Sequence, residues 1–359
     1  MADSFIGRMM KSLTRQLFLA LLVSQIVACS PLFVLRATYE EVKILSRRES
    51  IARLVRDPRV PQERRAKLQL VVQARDFAAD SLGLDAGESY TSFSQLDSDT
   101  LALVLSAARK DSFVPYTWWF PIVGRVPYRG FFSVSSASAA VRSMEERGFD
   151  AYVRPTSAFS TLGWFNDPLV SPLLRYDSVS LAGTVIHEIL HNTIYLPGQA
   201  IFNESLAQFV GSRGAIVFFC TRHPDPERCQ DAQQAWRDEL LFGAFLSYLV
   251  HDLETLYARE DLSSEEKIEQ RESIFDSARS TFEAEIQPNL GYLTFSSFTR
   301  APLNNASLIA RRIYYERLDL FEEVYQSTGG DFAKTLRLIL TATRESPDDP
   351  YGAVERILG

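Results

Sequence analysis

The residues of this chain with the clearest chemical potential are His187 and His191, which enclose Glu188 in the sequence HEILH. Positions four apart lie on one face of a helix, so both imidazoles would point at the same object. HExxH on a helix is typical of zinc hydrolases, in which two histidine nitrogens bind the metal and the glutamate acts on its water. A third protein ligand would leave one coordination position open. We therefore predict one Zn²⁺ per chain at this helix.

The predicted third ligand is Glu204, which starts a second helical run after a spacer of twelve residues. The metzincin pattern would need a histidine at position 197, but Pro197 stands there. The sequence NESLA around Glu204 resembles the NExxA motif of the gluzincin clan. Asn203 and Gln208 are predicted to orient the ligands through hydrogen bonds. The alternative is a buried polar cluster with a purely structural role, although structural zinc sites close all four positions with protein ligands.

Composition excludes some classes of function. The chain has 359 residues, is 46% hydrophobic and carries a formal charge of −7, with acidic and basic residues mixed along it. Nucleic-acid binding would require clustered Lys and Arg, so no nucleic-acid partner is predicted. The length allows one large domain or two.

The N-terminus has the pattern of a secretory signal. Arg8, Lys11 and Arg15 precede an apolar run from Leu17 to Ala28, which is too short to span a bilayer comfortably. The run ends at Cys29 in a sequence that resembles the lipobox of bacterial lipoproteins. That resemblance implies lipidation of Cys29 and a lipid-anchored protein on the periplasmic side of a membrane, with the outer membrane favoured. A plain signal peptide and an uncleaved anchor are the alternatives.

The two other cysteines, Cys220 and Cys229, flank the short loop TRHPDPER. In an oxidising compartment such a pair favours a disulfide. The loop also contains His223, so a Cys-His metal site is the alternative. A disulfide would tether the loop and take no part in the chemistry.

Several elements must position the predicted site. After the signal peptide at 1–28, residues 29–89 read as an N-terminal helical hairpin and residues 90–180 as short strands with one helix. The metal-binding helices occupy 181–215. The segment 231–359 is predicted to be helical, with runs at about 231–258, 263–287, 304–327 and 331–344. The fold class predicted for 90–359 is α+β, a zincin-like metallopeptidase domain that is mostly helical, with a small mixed sheet packed on the HExxH helix.

Several stretches together resemble one family of bacterial lipoproteins regarded as zinc aminopeptidases. The matching segments are the Cys29 lipobox, FPIVGRVPYRGFF (120–132), STLGWFNDPLVSPLLR (160–175), HEILH with FNESLA, and LNNASLIARRIYY (303–315). The resemblance implies a gluzincin-type peptidase over nearly the whole mature chain. Within these segments Tyr128, Gly130 and Gly163 are predicted to bind substrate, although the glycines also suit ordinary turns.

The last matching segment supplies a candidate for stabilising the oxyanion of the reaction. Gluzincins often use a Tyr or His from a later helix, and Tyr314 is the candidate here. Tyr314 and Tyr315 as ordinary packing aromatics are the alternative. His251, on an apolar helical run, is predicted to be a packing or helix-face residue.

The predicted function is peptide hydrolysis by zinc-activated water, with Glu188 as the general base. The resemblance implies an aminopeptidase, for which Asp167 is a conceivable amine-binding residue. A zinc endopeptidase is the first alternative. A non-catalytic zinc-binding scaffold lipoprotein is the second, but such a protein has no need of Glu188.

Overall fold

The computed structural model describes residues 43–120, 124–156 and 166–359. The chain divides into two units, residues 1–47 and 48–359, and all elements below belong to the second unit. The predicted signal peptide, Cys29 and Gly163 lie outside the described residues, so those interpretations stay predictions.

The strands are short and form three small sheets. They are β1 (Glu49–Ser50), β2 (Ser92–Ser94), β3 (Ala102–Arg109), β4 (Trp118–Phe120), β5 (Gly124–Val126), β6 (Tyr128–Phe131), β7 (Phe149–Thr156) and β8 (Leu169–Val170). The described sheets have the orders β1-β2-β8, β6-β3-β7 and β4-β5. In the second sheet β3 is central and antiparallel to both neighbours, with Ser106 opposite Tyr128 and Val104 opposite Arg154.

Helices make up most of the described chain. They are α1 (Ile51–Arg56), α2 (Gln62–Asp80), α3 (Val134–Glu146), α4 (Ser178–Thr193), α5 (Ala200–Val217), α6 (Pro226–Tyr257), α7 (Ser264–Thr281), α8 (Ser297–Arg300), α9 (Asn305–Tyr315), α10 (Leu318–Ser327), α11 (Phe332–Glu345) and α12 (Pro350–Leu358). A mostly helical chain with small sheets is consistent with the predicted α+β class. None of the described helices has both the length and the apolar character needed to cross a membrane.

Helices cover both faces of the β6-β3-β7 sheet. Leu105 and Ala107 of β3 pack with α3, whereas Ala108 packs with Ala306 and Ile309 of α9. Alternate residues of a strand point to opposite faces, so α3 and α9 lie on opposite sides of this sheet. Helix α9 also contacts α5, and α4 contacts α5 and α2. The structure thus differs from the single mixed sheet that we predicted on the HExxH helix, because α9 connects the main sheet to α5.

Helices α4 and α5 cross at two glycines. A Cβ on Gly211 would lie 2.7 Å from the carbonyl oxygen of Gly183 and 3.1 Å from Cβ of His187. Real Cβ atoms essentially never approach backbone oxygens so closely, so a side chain here would force the helices apart. The absence of side chains at both positions lets the backbone of α5 pass directly against the HExxH turn of α4.

A closed polar network joins β7 to the helical part. The Asp150 carboxylate accepts hydrogen bonds from Arg271 at 2.7 and 3.1 Å and from the backbone N–H of Asn305 at 3.1 Å. Arg271 also donates to the carbonyl of Lys110 at 2.7 Å, and the Asn305 amide accepts from Tyr257 at 2.9 Å. Asp150, Arg271 and Asn305 are all buried, so the charged pair is compensated by its own neighbours.

The cysteine loop is closed in the structure. Cys220 and Cys229 form a disulfide whose Cα atoms are 4.8 Å apart. It connects the turn after α5 to the first turn of α6, away from the two histidines of HEILH in sequence.

Candidate metal centre

Helix α4 is built to bury the HEILH turn. Its N-terminus is capped by Asp177, whose side chain accepts from the backbone N–H of Ser180 at 2.8 Å. The apolar residues that flank the motif are almost fully buried, namely Val185, Ile186, Ile189 and Leu190. Because the helix is anchored on this apolar face, its two histidines are held on the face that meets α5.

His187, His191 and Glu204 meet at the crossing of α4 and α5. The Nε2 atom of His187 lies 3.5 Å from the Glu204 carboxylate, and the Nε2 atom of His191 lies 3.8 Å from the same oxygen. All three donor atoms lie within 4.8 Å of one another. The side chains are 12%, 6% and 15% exposed, so the group is largely shielded from water but reachable.

This donor set fits zinc. Tetrahedral ligands at about 2.0–2.1 Å from Zn²⁺ are separated by roughly 3.3 Å, which is close to the two distances above. Two imidazoles and one carboxylate are also a ligand combination of catalytic zinc sites. Three protein ligands leave one tetrahedral position for a water or a substrate oxygen.

The electrostatics of the three ligands agree with a cation site. Burial raises the pKa of Glu204, but the hydrogen bonds and charges of His187 and His191 outweigh it and hold this pKa well below its usual range. Burial lowers the pKa of His191, and its interactions with Glu204 and Glu188 raise it above the usual value. Two carboxylates therefore concentrate negative charge around the point where the donors converge.

Glu188 lies beside the ligands and has the properties of a proton carrier. Burial raises the pKa of its carboxyl group, the two histidines lower it, and Glu204 and Asp167 raise it, with a net upward shift. An upward shift makes a carboxyl group a better proton acceptor, which suits a general base.

Tyr314 lies beside His187. The two ring centroids are 6.3 Å apart, and the Tyr314 hydroxyl accepts a hydrogen bond of 2.7 Å from Arg154 of β7. Burial raises the pKa of Tyr314, Arg154 lowers it, and Glu204 and Glu188 raise it. The phenol therefore keeps its proton and can donate it in a hydrogen bond.

Tyr128 and Tyr195 also surround Glu204. Burial and then the charge of Glu204 raise the pKa of both hydroxyls, to about 12 for Tyr195 and well above the usual value for Tyr128. Tyr128 also senses the charge of Arg154 and the hydroxyl of Tyr314. Tyr128, a predicted substrate residue, is thus close enough to Glu204 and Tyr314 to interact with them electrostatically.

Asn203 and Gln208 have other hydrogen-bond partners than the ligands we expected them to orient. The Asn203 amide accepts from the backbone N–H of Leu196 at 3.0 Å and donates to its carbonyl at 2.8 Å, so it clamps the turn between α4 and α5. Gln208 donates to Glu239 of α6 at 2.8 Å and to Ser212 at 3.2 Å. That Asn203 and Gln208 orient the metal ligands stays a prediction.

The remaining predicted residues lie in different places. Gly130 is in β6, where an added Cβ would meet open space. Asp167 is buried, and its backbone carbonyl accepts from the backbone N–H of Tyr90 at 2.8 Å. The charge of its side chain raises the pKa of both Tyr90 and Glu188. His251 is exposed on α6, as expected of a helix-face residue.

Sequence reasoning missed Arg154 and Tyr195. The signal for Arg154 was a second charged residue, after Asp150, inside the strand FDAYVRPT and directly before Pro155. Tyr195 follows the C-terminus of α4 by two positions, where any side chain must lie near the metal-binding turn.

A family model described as "Putative aminopeptidase" matches residues 32–346, which is nearly the whole chain. No curated protein and no solved structure gives a significant match.

Proposed function

This chain belongs to the putative aminopeptidase family, and on that premise we propose that it is a zinc-dependent aminopeptidase. The observation that carries the proposal is the convergence of His187, His191 and Glu204, with Glu188 next to them in the motif. Neither the family nor the fold alone specifies zinc.

His187, His191 and Glu204 would hold the ion, which when bound would lower the pKa of a water molecule and polarise the scissile carbonyl. Glu188 takes the proton of the attacking water and then gives it to the leaving amine, which its raised pKa favours. Tyr314 donates a hydrogen bond to the oxygen on which negative charge develops. Arg154 holds the Tyr314 oxygen by donating to it, which leaves the phenolic proton free to point toward that charge.

Asp167 supports cleavage at the amino end of a peptide. The charge of its carboxylate raises the pKa of Glu188 and of Tyr90. A negative group on one side of the reacting centre would attract the free ammonium of a substrate. An endopeptidase would not need this group, and a scaffold protein would not need Glu188.

The location of the protein is part of the proposal. The lipobox-like sequence at Cys29 supports a lipid anchor, and two or more acyl chains would attach the protein stably to a membrane. The disulfide between Cys220 and Cys229 supports an oxidising compartment such as the periplasm. Peptides that reach this compartment would be the substrates.

The first test combines metal analysis with a Glu188→Gln variant. Purified protein is expected to contain about one zinc per chain, and Glu188→Gln is expected to retain the zinc while hydrolysis falls at least roughly a hundredfold. Unchanged hydrolysis in this variant would refute the mechanism.

The second test distinguishes amino- from endopeptidase activity. A peptide library is digested with free and with acetylated N-termini, and the products are identified by mass spectrometry. An aminopeptidase releases single residues from the free peptides only, whereas internal cleavage of both sets would establish the endopeptidase.

A further inference from the structure

We propose that Arg154 binds a carboxylate group of the substrate on the Glu204 side of the metal centre, an inference that rests on the proposed peptidase function. The substrates would then be short peptides with a carboxylate within about two residues of the cleaved bond. The carboxylate could belong to the C-terminus or to an acidic side chain, and both have the same recognition chemistry.

The first observation concerns the guanidinium of Arg154, which lies over the Tyr314 ring at 5.2 Å from its centroid. One nitrogen donates to the Tyr314 hydroxyl at 2.7 Å, whereas Nε is buried without any hydrogen-bond partner. Arg154 forms no ion pair with a carboxylate of the described residues within 4.0 Å. Burial lowers the pKa of Arg154, but Tyr314 and Glu204 raise it, so the group stays charged.

Three other shielded arginines of the structure are better satisfied, although Nε of Arg65 on α2 is also buried without a hydrogen-bond partner. Arg271 pairs with Asp150, and Arg213 pairs with Glu322. Arg311 donates to two backbone carbonyls, those of Ser307 and Ser297, both at 2.8 Å. A buried charge without such partners is costly, so its persistence beside the site favours a partner that arrives with the substrate.

The second observation is the uneven distribution of charge around the metal centre. The charge of Asp167 acts on Glu188, whereas the charge of Arg154 acts on Tyr314 and Glu204. A short peptide carries an ammonium at one end and a carboxylate at the other. The two side chains would therefore align such a peptide with its amino end toward Asp167.

The distances suit a short substrate. Arg154 is one hydrogen bond away from Tyr314, whose ring lies 6.3 Å from the His187 ring. An extended peptide advances about 3.3–3.6 Å per residue, so a carboxylate one or two residues beyond the cleaved bond would reach the guanidinium. The planar fork of Arg matches both oxygens of a carboxylate, which a Lys would not do equally well.

A positioning role is the alternative, in which Arg154 only holds the Tyr314 hydroxyl. The two roles differ in one respect. Loss of a positioning residue would affect all substrates equally, whereas loss of a carboxylate-binding residue would affect substrates with a carboxylate most.

The test measures binding and does not depend on turnover. Zinc-loaded Glu188→Gln protein is titrated by calorimetry with Ala-Ala, with Ala-Ala-amide and with Ala-Glu-amide, and the series is repeated after adding Arg154→Gln. We expect one of the carboxylate peptides to bind roughly 10–100 times more tightly than Ala-Ala-amide, and this preference to vanish with Arg154→Gln. Preference for Ala-Ala assigns the C-terminal carboxylate, and preference for Ala-Glu-amide assigns a side-chain carboxylate.

Two controls keep the result decisive. Tyr314→Phe in the same background should lower the affinity for the three peptides in parallel, and Arg154→Lys should retain the charge and the fold but only part of the preference. Equal binding of the three peptides, no binding of any, or a preference that survives Arg154→Gln would overturn the proposal. Absence of hydrolysis by the unmodified enzyme would refute the proposed function instead.

Discussion

Two buried polar clusters of this protein differ in how completely they are satisfied. In the Asp150 network the charges of Asp150 and Arg271 face each other, and Lys110, Asn305 and Tyr257 supply further hydrogen bonds. In the metal centre, Nδ1 of His191 and Nε of Arg154 are buried without a hydrogen-bond partner.

The difference separates a structural cluster from a functional one. Buried polar groups normally find partners within the protein, because leaving them unpaired costs free energy. The Asp150 network follows this rule and joins β7 to α7 and α9. Near the metal centre, Nε of Arg154 departs from it, which fits a partner that comes from outside the chain. Nδ1 of His191 lies on the ring edge away from Nε2, so a metal bound at Nε2 would not satisfy it. Variants of each cluster should therefore change different measurable quantities.

The largest expected effect is the loss of metal from His191→Ala. A zinc site gains about 10–16 kcal/mol from four ligands, so removing one should weaken zinc binding at least roughly a thousandfold. The metal-free variant should stay folded, because it also loses the unpartnered Nδ1. Zinc content after dialysis and a thermal melt of the apoprotein check both statements. His251→Ala, at an exposed histidine, is the matched control, and equal zinc loss in it would contradict the assigned ligand set.

Asp150→Ala should lower the stability of the fold and leave zinc binding unchanged, the reverse of what we expect for His191→Ala. It leaves the Arg271 charge buried and unpaired, which costs about 3–5 kcal/mol of unfolding free energy. Molecules that remain folded should bind zinc as before, since α4 and α5 supply the ligands. Denaturant unfolding measures the cost, and Asp252→Ala at an exposed position of α6 serves as control. A loss below about 1 kcal/mol would mean that the network is not structural.

Tyr314→Phe tests whether the metal centre contains a hydrogen-bond donor for the oxyanion of the reaction. Removing a single oxyanion donor typically lowers kcat about 10²–10³-fold, and we expect this range with unchanged zinc content. The neighbouring Tyr315→Phe is the control, because Tyr315 packs against Phe242 in the helical core. Equal kcat values for the two variants would support the alternative that Tyr314 is only a packing residue.

Glu239 belongs to neither cluster and gives the smallest effect. Burial raises its pKa to about 8, despite hydrogen bonds from Ser212 and Gln208 that lower it. In the unfolded chain this carboxyl loses its proton near its usual pKa of 4.5. Its contribution to stability is therefore complete below that pH and is lost as the pH rises toward 8.

The corresponding variant is Glu239→Gln, which keeps the shape and removes the titration. As the pH rises from 5 to 7, the unfolding free energy of the variant should fall less steeply than that of the unmodified protein. The difference in slope should be at most about 1.4 kcal/mol per pH unit. Denaturant unfolding at three pH values measures the slope. The same slope in both proteins would show that Glu239 is not the group responsible.

The sequence predicts the metal ligands and Glu188 better than it predicts Arg154. His187, Glu188 and His191 are related by helical periodicity, which is local, and Glu204 follows after a short turn. Arg154 is more than thirty residues before the motif and reaches the site only because β7 pairs with β3 and α9 packs on this sheet. Such pairing depends on tertiary contacts that no local pattern encodes.

The same reasoning applies to the fold. The amphipathic pattern predicts the long helices well, and α6, α7 and α11 lie close to the helical runs read at 231–258, 263–287 and 331–344. The run read as one helix at 304–327 is two, α9 and α10, because Arg317 adopts a left-handed conformation with φ 50° between them. The position of α9 between the main sheet and α5 could not be read from any of these runs.

The crossing of α4 and α5 at Gly183 and Gly211 has a consequence for how the protein tolerates change. Zinc–ligand distances tolerate only about 0.2 Å, whereas any side chain at Gly211 must displace α5 from α4. The two glycines contribute no donor atom, yet they hold the histidine helix and the Glu204 helix at their separation. Metal affinity therefore depends partly on two residues that do not bind the metal. The effects on zinc affinity of substitutions at Gly183 or Gly211 and of substitutions of the ligands should be strongly non-additive.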